Sequence, residues 1–404
     1  MVFSLSAAEN STAEIQAANK YPSIRLLTVG QKTSSNTPLV DLATLEQPWA
    51  DASNVSASNG GEFGFFSSVC FFFARNLVDE LGADAPPIGL VSSNWGGTRI
   101  ESWMTQKAIA PCGGTAPANL FNAMIAPFTV GPMAVTGFTW YQGESDLSVV
   151  SRPLNNNYVC TEPAMMAEWR GLFGVPSAFF GIVQLSTWAP VGNASGVFAG
   201  QALAQLRVDQ LTGLTRPGDA YASNADHGDA ANIHPPYKQF PGRRLAAAAL
   251  DIVYGKGTAW RHPTYASAVA AGAASLTVSL ADAPAGLVLQ PSANAQAAPL
   301  AFCVAANAKL PATCAWASLQ FDDAARSWVN ATVALSADAT KLVLTPNGGA
   351  PAGATRIVAS SYGWGSIPLM TAVRLTRTMP RPPAAPAAAT LATLTTNPSR
   401  ASRP

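Results

Sequence analysis

Three short stretches carry the residue types that could do chemistry: SSNWGGTRIESW at 92–103, WYQGESD at 140–146 and NADHGDAANIHPPYKQF at 224–240. In the first, Gly96 and Gly97 let backbone N–H groups come close to a ligand, as stabilising a developing oxyanion requires. The same pair also makes an ordinary tight strand-to-helix turn. In the second, Gln142 and Glu144 flank Gly143, an amide and a carboxylate backed by Trp140 and Tyr141. As a lone pattern this reads as a satisfied polar turn. Beside the glycine loop, it suggests Gln142 donating to an oxyanion while Glu144 holds the loop in shape. In the third, His234 stands directly before Pro235 and Pro236, which fix it in a loop at the entrance of a helix, with Asp226 and Asp229 upstream. A histidine near carboxylates on a rigid turn suits a general base whose imidazolium must be oriented and stabilised. The other reading of a single histidine is structural.

These loops need strands and helices to hold them. From about residue 21 to 255, short apolar runs alternate with helical patterns, the mark of an α/β unit with a mostly parallel sheet. Strands are expected in SIRLLTV, PIGLVSS, AVTGFTWY, AFFGIVQLS and DAYAS. Helices are expected in FFSSVCFFFARNLVDEL, NYVCTEPAMMAEWRGLF, the LAQLRVDQLTGL region and YKQFPGRRLAAAALDIVYG. All three loops then fall just beyond strands, outside whose carboxyl ends ligands of open parallel sheets collect. Past Thr258 the pattern changes to period two in SLTVSLAD, GLVLQ, KLVLTP and TRIVASSYGW, which argues for a smaller β-rich unit. The expected organisation is an α/β domain over 1–257, a β-rich accessory domain over 258–378 and a disordered Pro- and Ala-rich tail over 379–404.

Composition narrows the partners. With 404 residues two domains are natural, and 24 Lys plus Arg against 23 Asp plus Glu give no basic field for nucleic acid or acidic lipid. The longest apolar stretch, FGFFSSVCFFFARNLVDEL, is broken by Ser67, Ser68 and Arg75 and reads as a buried amphipathic helix, so no membrane insertion is expected. Five cysteines without a Cys-x-x-Cys pair and three scattered histidines argue against zinc, and no other cofactor is implied. In an oxidising compartment Cys303 with Cys314, and Cys112 with Cys160, are candidate disulfides, leaving Cys70 as a buried thiol. The alternative is five reduced, structural cysteines.

Taken in order, SIRLLTV, FFARNLVDEL, PIGLVSSNWGGTRIESWM, LFNAMIAPF, GFTWYQGESD, FFGIVQLS, LRVDQ and IHPPYKQFPGRRLAAAAL resemble the sialate O-acetylesterases, carbohydrate esterases with an SGNH-hydrolase-like core. The resemblance covers most of the chain, and SSYGWGSIPL is similar to the end of the family's accessory domain. It implies hydrolysis of acetyl esters on a sugar through an acyl-enzyme, without metal or cofactor. His234 would be the base, and Gly96 or Gly97 with Gln142 the oxyanion donors. Where the family usually has an aspartate two residues before the histidine, this chain has Asn232. Asp229 is the first replacement for the orienting acid and Asp226 the second. Pro241 is a further departure, expected to kink the following helix or delay its start.

The opening MVFSLSAAEN lacks the apolar run of a secretory signal. Yet sequons stand at Asn10, Asn54, Asn193 and Asn330. The family's nucleophile lies near the chain's beginning in a motif similar to Gly-Gln-Ser-Asn-Met followed by x-Phe-Ser-Leu, so the resemblance places that serine and the first strand upstream of Met1. Ser4 aligns with a non-catalytic position, and Ser35 in VGQKTSSN resembles the motif only superficially. The expectation is a secreted or lysosomal glycoprotein esterase whose first strand precedes Met1. The competing expectations are a non-catalytic carbohydrate-binding or interaction protein with the same pocket, and an esterase acting on an acetylated plant or algal polysaccharide.

Overall fold

A computed structural model describes residues 1–31, 33–58, 66–131, 133–147, 158–188, 196–228, 232–283, 287–291, 317–362 and 371–375. The chain opens with helix α1 (Ser11–Ala18), strand β1 (Ile24–Val29) and strand β2 (Leu45–Asp51). Helix α2 (Ser68–Leu81), β3 (Ile88–Ser92), the short helix α3 (Gln106–Ile109) and β4 (Gly137–Trp140) follow. Then come α4 (Glu144–Leu147), α5 (Tyr158–Leu172), β5 (Phe179–Val183), α6 (Gly196–Thr212), β6 (Asp219–Ala222) and α7 (Gln239–Ile252). The second half holds β7 (Thr264–Ala271), β8 (Ser275–Ala281), β9 (Leu287–Pro291), β10 (Ala317–Phe321), β11 (Trp328–Leu335), β12 (Lys341–Pro346), β13 (Ile357–Tyr362) and β14 (Thr371–Leu375).

The α/β part contains two three-stranded sheets. One runs β2-β1-β3, with β1 parallel to β3 from Ile24 opposite Ile88 to Thr28 opposite Ser92. The other, β4-β5-β6, is parallel throughout. Each of the five expected strands is present, and β2 is an addition. Its sequence, LEQPWAD, carries a proline and charged ends, which hide a strand from periodicity but suit the antiparallel edge position it takes beside β1.

Helix α2 shows why the phenylalanine run folds as it does. The Ser67 hydroxyl accepts from the Cys70 amide at 3.5 Å, capping the first turn, and Gly82 with φ of 60° closes the last. Phe71, Phe72, Ala74 and Leu77 are fully buried, and Phe73 nearly so. Each large side chain so buried contributes about 1.5–3 kcal/mol. Gly242 of α7 lies where a Cβ would meet Phe72 Cβ at 2.6 Å, so α2 and α7 pack backbone to backbone there. Pro241 is the third residue of α7, whose start falls at Gln239, so the proline sits in the first turn and the helix begins late rather than kinking.

The cores separate in sequence. The first gathers apolar side chains from Phe3 to Trp260, so the chain stays with the α/β part a few residues beyond Thr258. The second takes Leu276, Val278, Leu287, Leu319, Phe321, Leu342, Leu344 and Ile357. There β13-β10-β11-β12-β8-β7 form an antiparallel sheet, and β9 pairs with β14. Among the described residues no helix is long and apolar enough to cross a membrane. The expected tail over 379–404 lies outside the described residues.

Cys112 and Cys160 form a disulfide with Cα atoms 5.7 Å apart, tying the turn after α3 to α5. Cys70 is free, and Cys303 and Cys314 lie outside the described residues. The bridge closes a loop 48 residues long. Replacing both Cys112 and Cys160 by alanine should cost about 2–4 kcal/mol, read as a lower urea midpoint.

A second prediction concerns Glu162 of α5, which is fully buried, and burial raises its pKa well above the ordinary value. Above about pH 4.3 the unfolded chain loses this proton while the folded protein keeps it. The carboxyl's contribution is therefore whole at low pH and declines as pH climbs toward the folded pKa. Glu162→Gln should raise the melting temperature at pH 8 and hardly change it at pH 4.

Candidate functional site

The loops beyond β3 and β4 come together at one cavity of about 650 Å³, within the range of ligand pockets. Asn94, Gly96, Gly97, Gln142, Glu144 and His234 all line it, as do Trp95, Tyr141 and Trp188. The sequence-derived candidates from all three loops thus share one space. Gly96 and Gly97 are exposed at the rim, and Gly97 has φ of 73°, a left-handed conformation that favours glycine. Asn94 is held from both sides: its Oδ1 accepts from Gln31 Nε2 at 3.1 Å and its amide donates to Ser92.

Gln142 is committed within the protein. Its Nε2 donates to the Thr98 carbonyl at 3.0 Å and to the Asp146 carboxyl, while its Oε1 accepts from the Tyr158 hydroxyl at 2.9 Å. One amide hydrogen therefore joins the glycine loop to the 140s loop, and the other is spent within the 140s loop on Asp146. In this conformation Gln142 ties the two loops and has no hydrogen left to aim at an oxyanion. Burial raises the Asp146 pKa to about 7, with the Gln142 hydrogen bond opposing the rise. Gln210 of α6 completes the fastening, donating to the Gln142 carbonyl at 3.2 Å and accepting from Leu185 N at 3.0 Å.

His234 is set by its own turn. Its amide donates to Asn232 Oδ1 at 2.8 Å, so that oxygen of Asn232 is engaged by the main chain. The Pro236 carbonyl accepts from Glu9 N at 2.9 Å and Lys238 N at 2.8 Å, binding the turn to the amino-terminal segment. The imidazole lies 6.5 Å, centroid to centroid, from the Phe3 ring. Asp229 lies outside the described residues. Asp226 is occupied elsewhere: Arg244 clasps its two oxygens at 2.7 and 2.6 Å, and His227 Nδ1 is 3.0 Å away. Burial alone would raise the Asp226 pKa, but Arg244 and His227 outweigh it and hold the carboxyl far below its usual range. The pairing explains why this second candidate for the orienting acid serves instead to anchor the loop to α7.

Lys238 is the residue the sequence reading missed. It is fully buried, its Nζ 4.6 Å from the Phe3 ring centroid and 5.2 Å from that of Tyr141. Burial lowers its pKa to about 7, and the Glu144 charge opposes that fall. Glu144 shifts the other way, its pKa raised by burial despite Lys238. These groups set an electrostatic link between the QGE loop and the histidine turn. The signal was present: a lysine four residues after His234, at the mouth of an apolar helix. Among the described residues no cluster of His, Cys, Asp and Glu could hold a metal ion.

A family model described as carbohydrate esterase, sialic acid-specific acetylesterase, matches residues 29–219. Through that span the chain is similar to this family. The span covers the glycine loop, Gln142 and Glu144, and it ends before the histidine turn. Sialate O-acetylesterase from Pongo abelii is 31% identical over 278 residues, covering 61% of this chain and 50% of the relative. The Homo sapiens sialate O-acetylesterase matches with the same identity and coverage. The chain thus spans about half the length of these curated relatives. Among solved structures, a carbohydrate acetylesterase from Xanthomonas citri superposes with a TM-score of 0.72 at 26% identity, covering 94% of this chain and 76% of that one.

Proposed function

We propose that this protein is a carboxylic ester hydrolase that removes O-acetyl groups from sialic acid or a related sugar, on an SGNH-hydrolase-like core ending near residue 257, with the β-rich accessory domain after it. The observation that carries the reading is the convergence of the glycine loop, the Gln142–Glu144 loop and His234 on one cavity of about 650 Å³. His234 takes the proton of an attacking serine and returns it to the departing sugar hydroxyl. Gly96 and Gly97 offer main-chain donors for the oxyanion. Gln142 is assigned the work of fixing the glycine loop, because its amide hydrogens are already bonded. Asp229 is kept as the orienting acid, since Asp226 is bound by Arg244.

The serine is assigned to none of the described hydroxyls. Ser4 is fully buried, Ser93 donates to the Met124 carbonyl at 2.9 Å, and Thr98 donates to the Trp95 carbonyl at 2.7 Å. The reading places the nucleophile on a segment beyond these residues whose end reaches the cavity beside Met1. Export to an oxidising compartment, secreted or lysosomal, is part of the proposal, supported by the Cys112–Cys160 bridge and by sequon Asn10 on the surface. Acetate release from an O-acetylated sugar, measured with the serine-bearing segment joined ahead of Met1, tests the reading. Binding of the sugar without acetate release would favour the non-catalytic alternative.

A further inference from the structure

Of the four sequons, the one at Asn330 alone has an aromatic residue two places ahead of its asparagine. That residue is Trp328, where Ala8, Ala52 and Val191 precede Asn10, Asn54 and Asn193. The motif opens β11, whose register with β10 runs without interruption from Trp328 opposite Gln320 to Ala331 opposite Ala317. Alternate residues of a strand face opposite sides of the sheet. Val329, Ala331 and Val333 pack against the second core, so Trp328, Asn330 and Thr332 stand together on the outer face, successive ones about 7 Å apart. Their neighbours on that face are uncharged: Gln320 and Ser318 of β10, Ser361 of β13 and Thr345 of β12.

Trp328 is 42% exposed, which leaves much of a large apolar ring in water. The face of that ring carries the negative side of the aromatic quadrupole. A pyranose ring answers both properties, because its weakly positive C–H bonds pack on the indole while its hydroxyls stay in water. Asn330 Oδ1 accepts from the Ser318 hydroxyl at 3.4 Å, which anchors the carbonyl end of the amide on β10. A sugar carried on Nδ2 then rises from the same face as the indole, one strand repeat away.

We propose that Asn330 is an N-glycosylation site whose first N-acetylglucosamine lies on Trp328 and covers the outer face of the accessory sheet. The inference rests on the proposed function only for export to a compartment where such transfer occurs. The donor is an oligosaccharide carried on a polyprenyl diphosphate. Nδ2 of Asn330 attacks its anomeric carbon, the N–C bond forms, the C–O bond to the diphosphate breaks, and the amide proton passes to solvent as the polyprenyl diphosphate leaves. In the folded protein the Thr332 hydroxyl donates to Asn347 Oδ1 at 2.6 Å. The transferase therefore reads this hydroxyl before β11 pairs, and the sugar settles on the indole as the sheet closes.

The test joins a foreign cleavable secretory leader to the whole chain in yeast and recovers the protein from the secretory lumen and medium. Mass spectrometry should find a glycan on the peptide that carries Asn330. After trimming to a single N-acetylglucosamine, the protein should melt about 2 °C or more above Asn330→Gln made in the same way. In Trp328→Thr, which replaces an exposed side chain, the trimmed glycan should raise the melting temperature by nothing measurable. A bare Asn330 in the exported protein, equal melting of the trimmed protein and Asn330→Gln, or a gap that persists in Trp328→Thr would each overturn the proposal. No readout involves acetate, and the leader is supplied, so failure of the esterase reading or of natural export shows separately from failure at this site.

Discussion

His234→Ala, in protein carrying the serine-bearing segment, is expected to lower acetyl-ester turnover by about 10²–10⁴-fold, the range supplied by a positioned proton acceptor. The loss should fall on kcat, because the imidazole acts on a proton in flight while the cavity walls that hold the sugar stay in place. Its turn is fastened by main-chain bonds to Asn232 and to Glu9 through Pro236, so alanine there leaves the fold intact. Unchanged melting with lost turnover is the expected pairing, and near-normal turnover would remove His234 from the mechanism.

The second large effect is on stability. Lys238→Met should destabilise the protein by about 3–5 kcal/mol at pH 6, the cost of leaving a buried carboxylate without its counter-charge. At that pH Lys238, whose pKa burial lowers to about 7, still carries most of its charge. Here the carboxylate is Glu144, already pushed toward its neutral form by burial and held back by Lys238. The penalty should shrink at pH 4, where Glu144 in the variant takes up a proton, and at pH 8, where Lys238 itself is mostly neutral, and the further change Glu144→Gln should restore part of the loss. Urea unfolding at the three pH values measures it. An equal penalty at all three would show that Lys238 matters through its methylene packing on Phe3 and Tyr141 instead.

Much of the fold is legible in the sequence. Apolar runs such as SIRLLTV and AFFGIVQLS are strands because their burial is nearly continuous, and β5 is buried at all five residues. The site loops are legible because they follow those strands. What escapes is long-range pairing. Nothing local in WYQGESD tells that both Gln142 hydrogens go to Thr98 and Asp146, because Thr98 lies 44 residues away in sequence. Likewise Asp226 looks available to a histidine until Arg244, in the second turn of α7, proves to hold it. Lys238 escapes because burial of a lysine is rare enough that sequence assigns it to the surface. The two separate sheets cannot be read from strand positions, which give order along the chain but not neighbours in space.

The most direct measurement joins an apolar strand ending Gly-Gln-Ser-Asn to Met1 and follows acetate released from an O-acetylated sialic acid, beside the same protein with that serine changed to alanine. The account predicts steady release and a transient acetylated serine by mass spectrometry in the first protein, and neither in the second. Equal acetate release from both, or no release from the first while its melting is that of a folded protein, would contradict it.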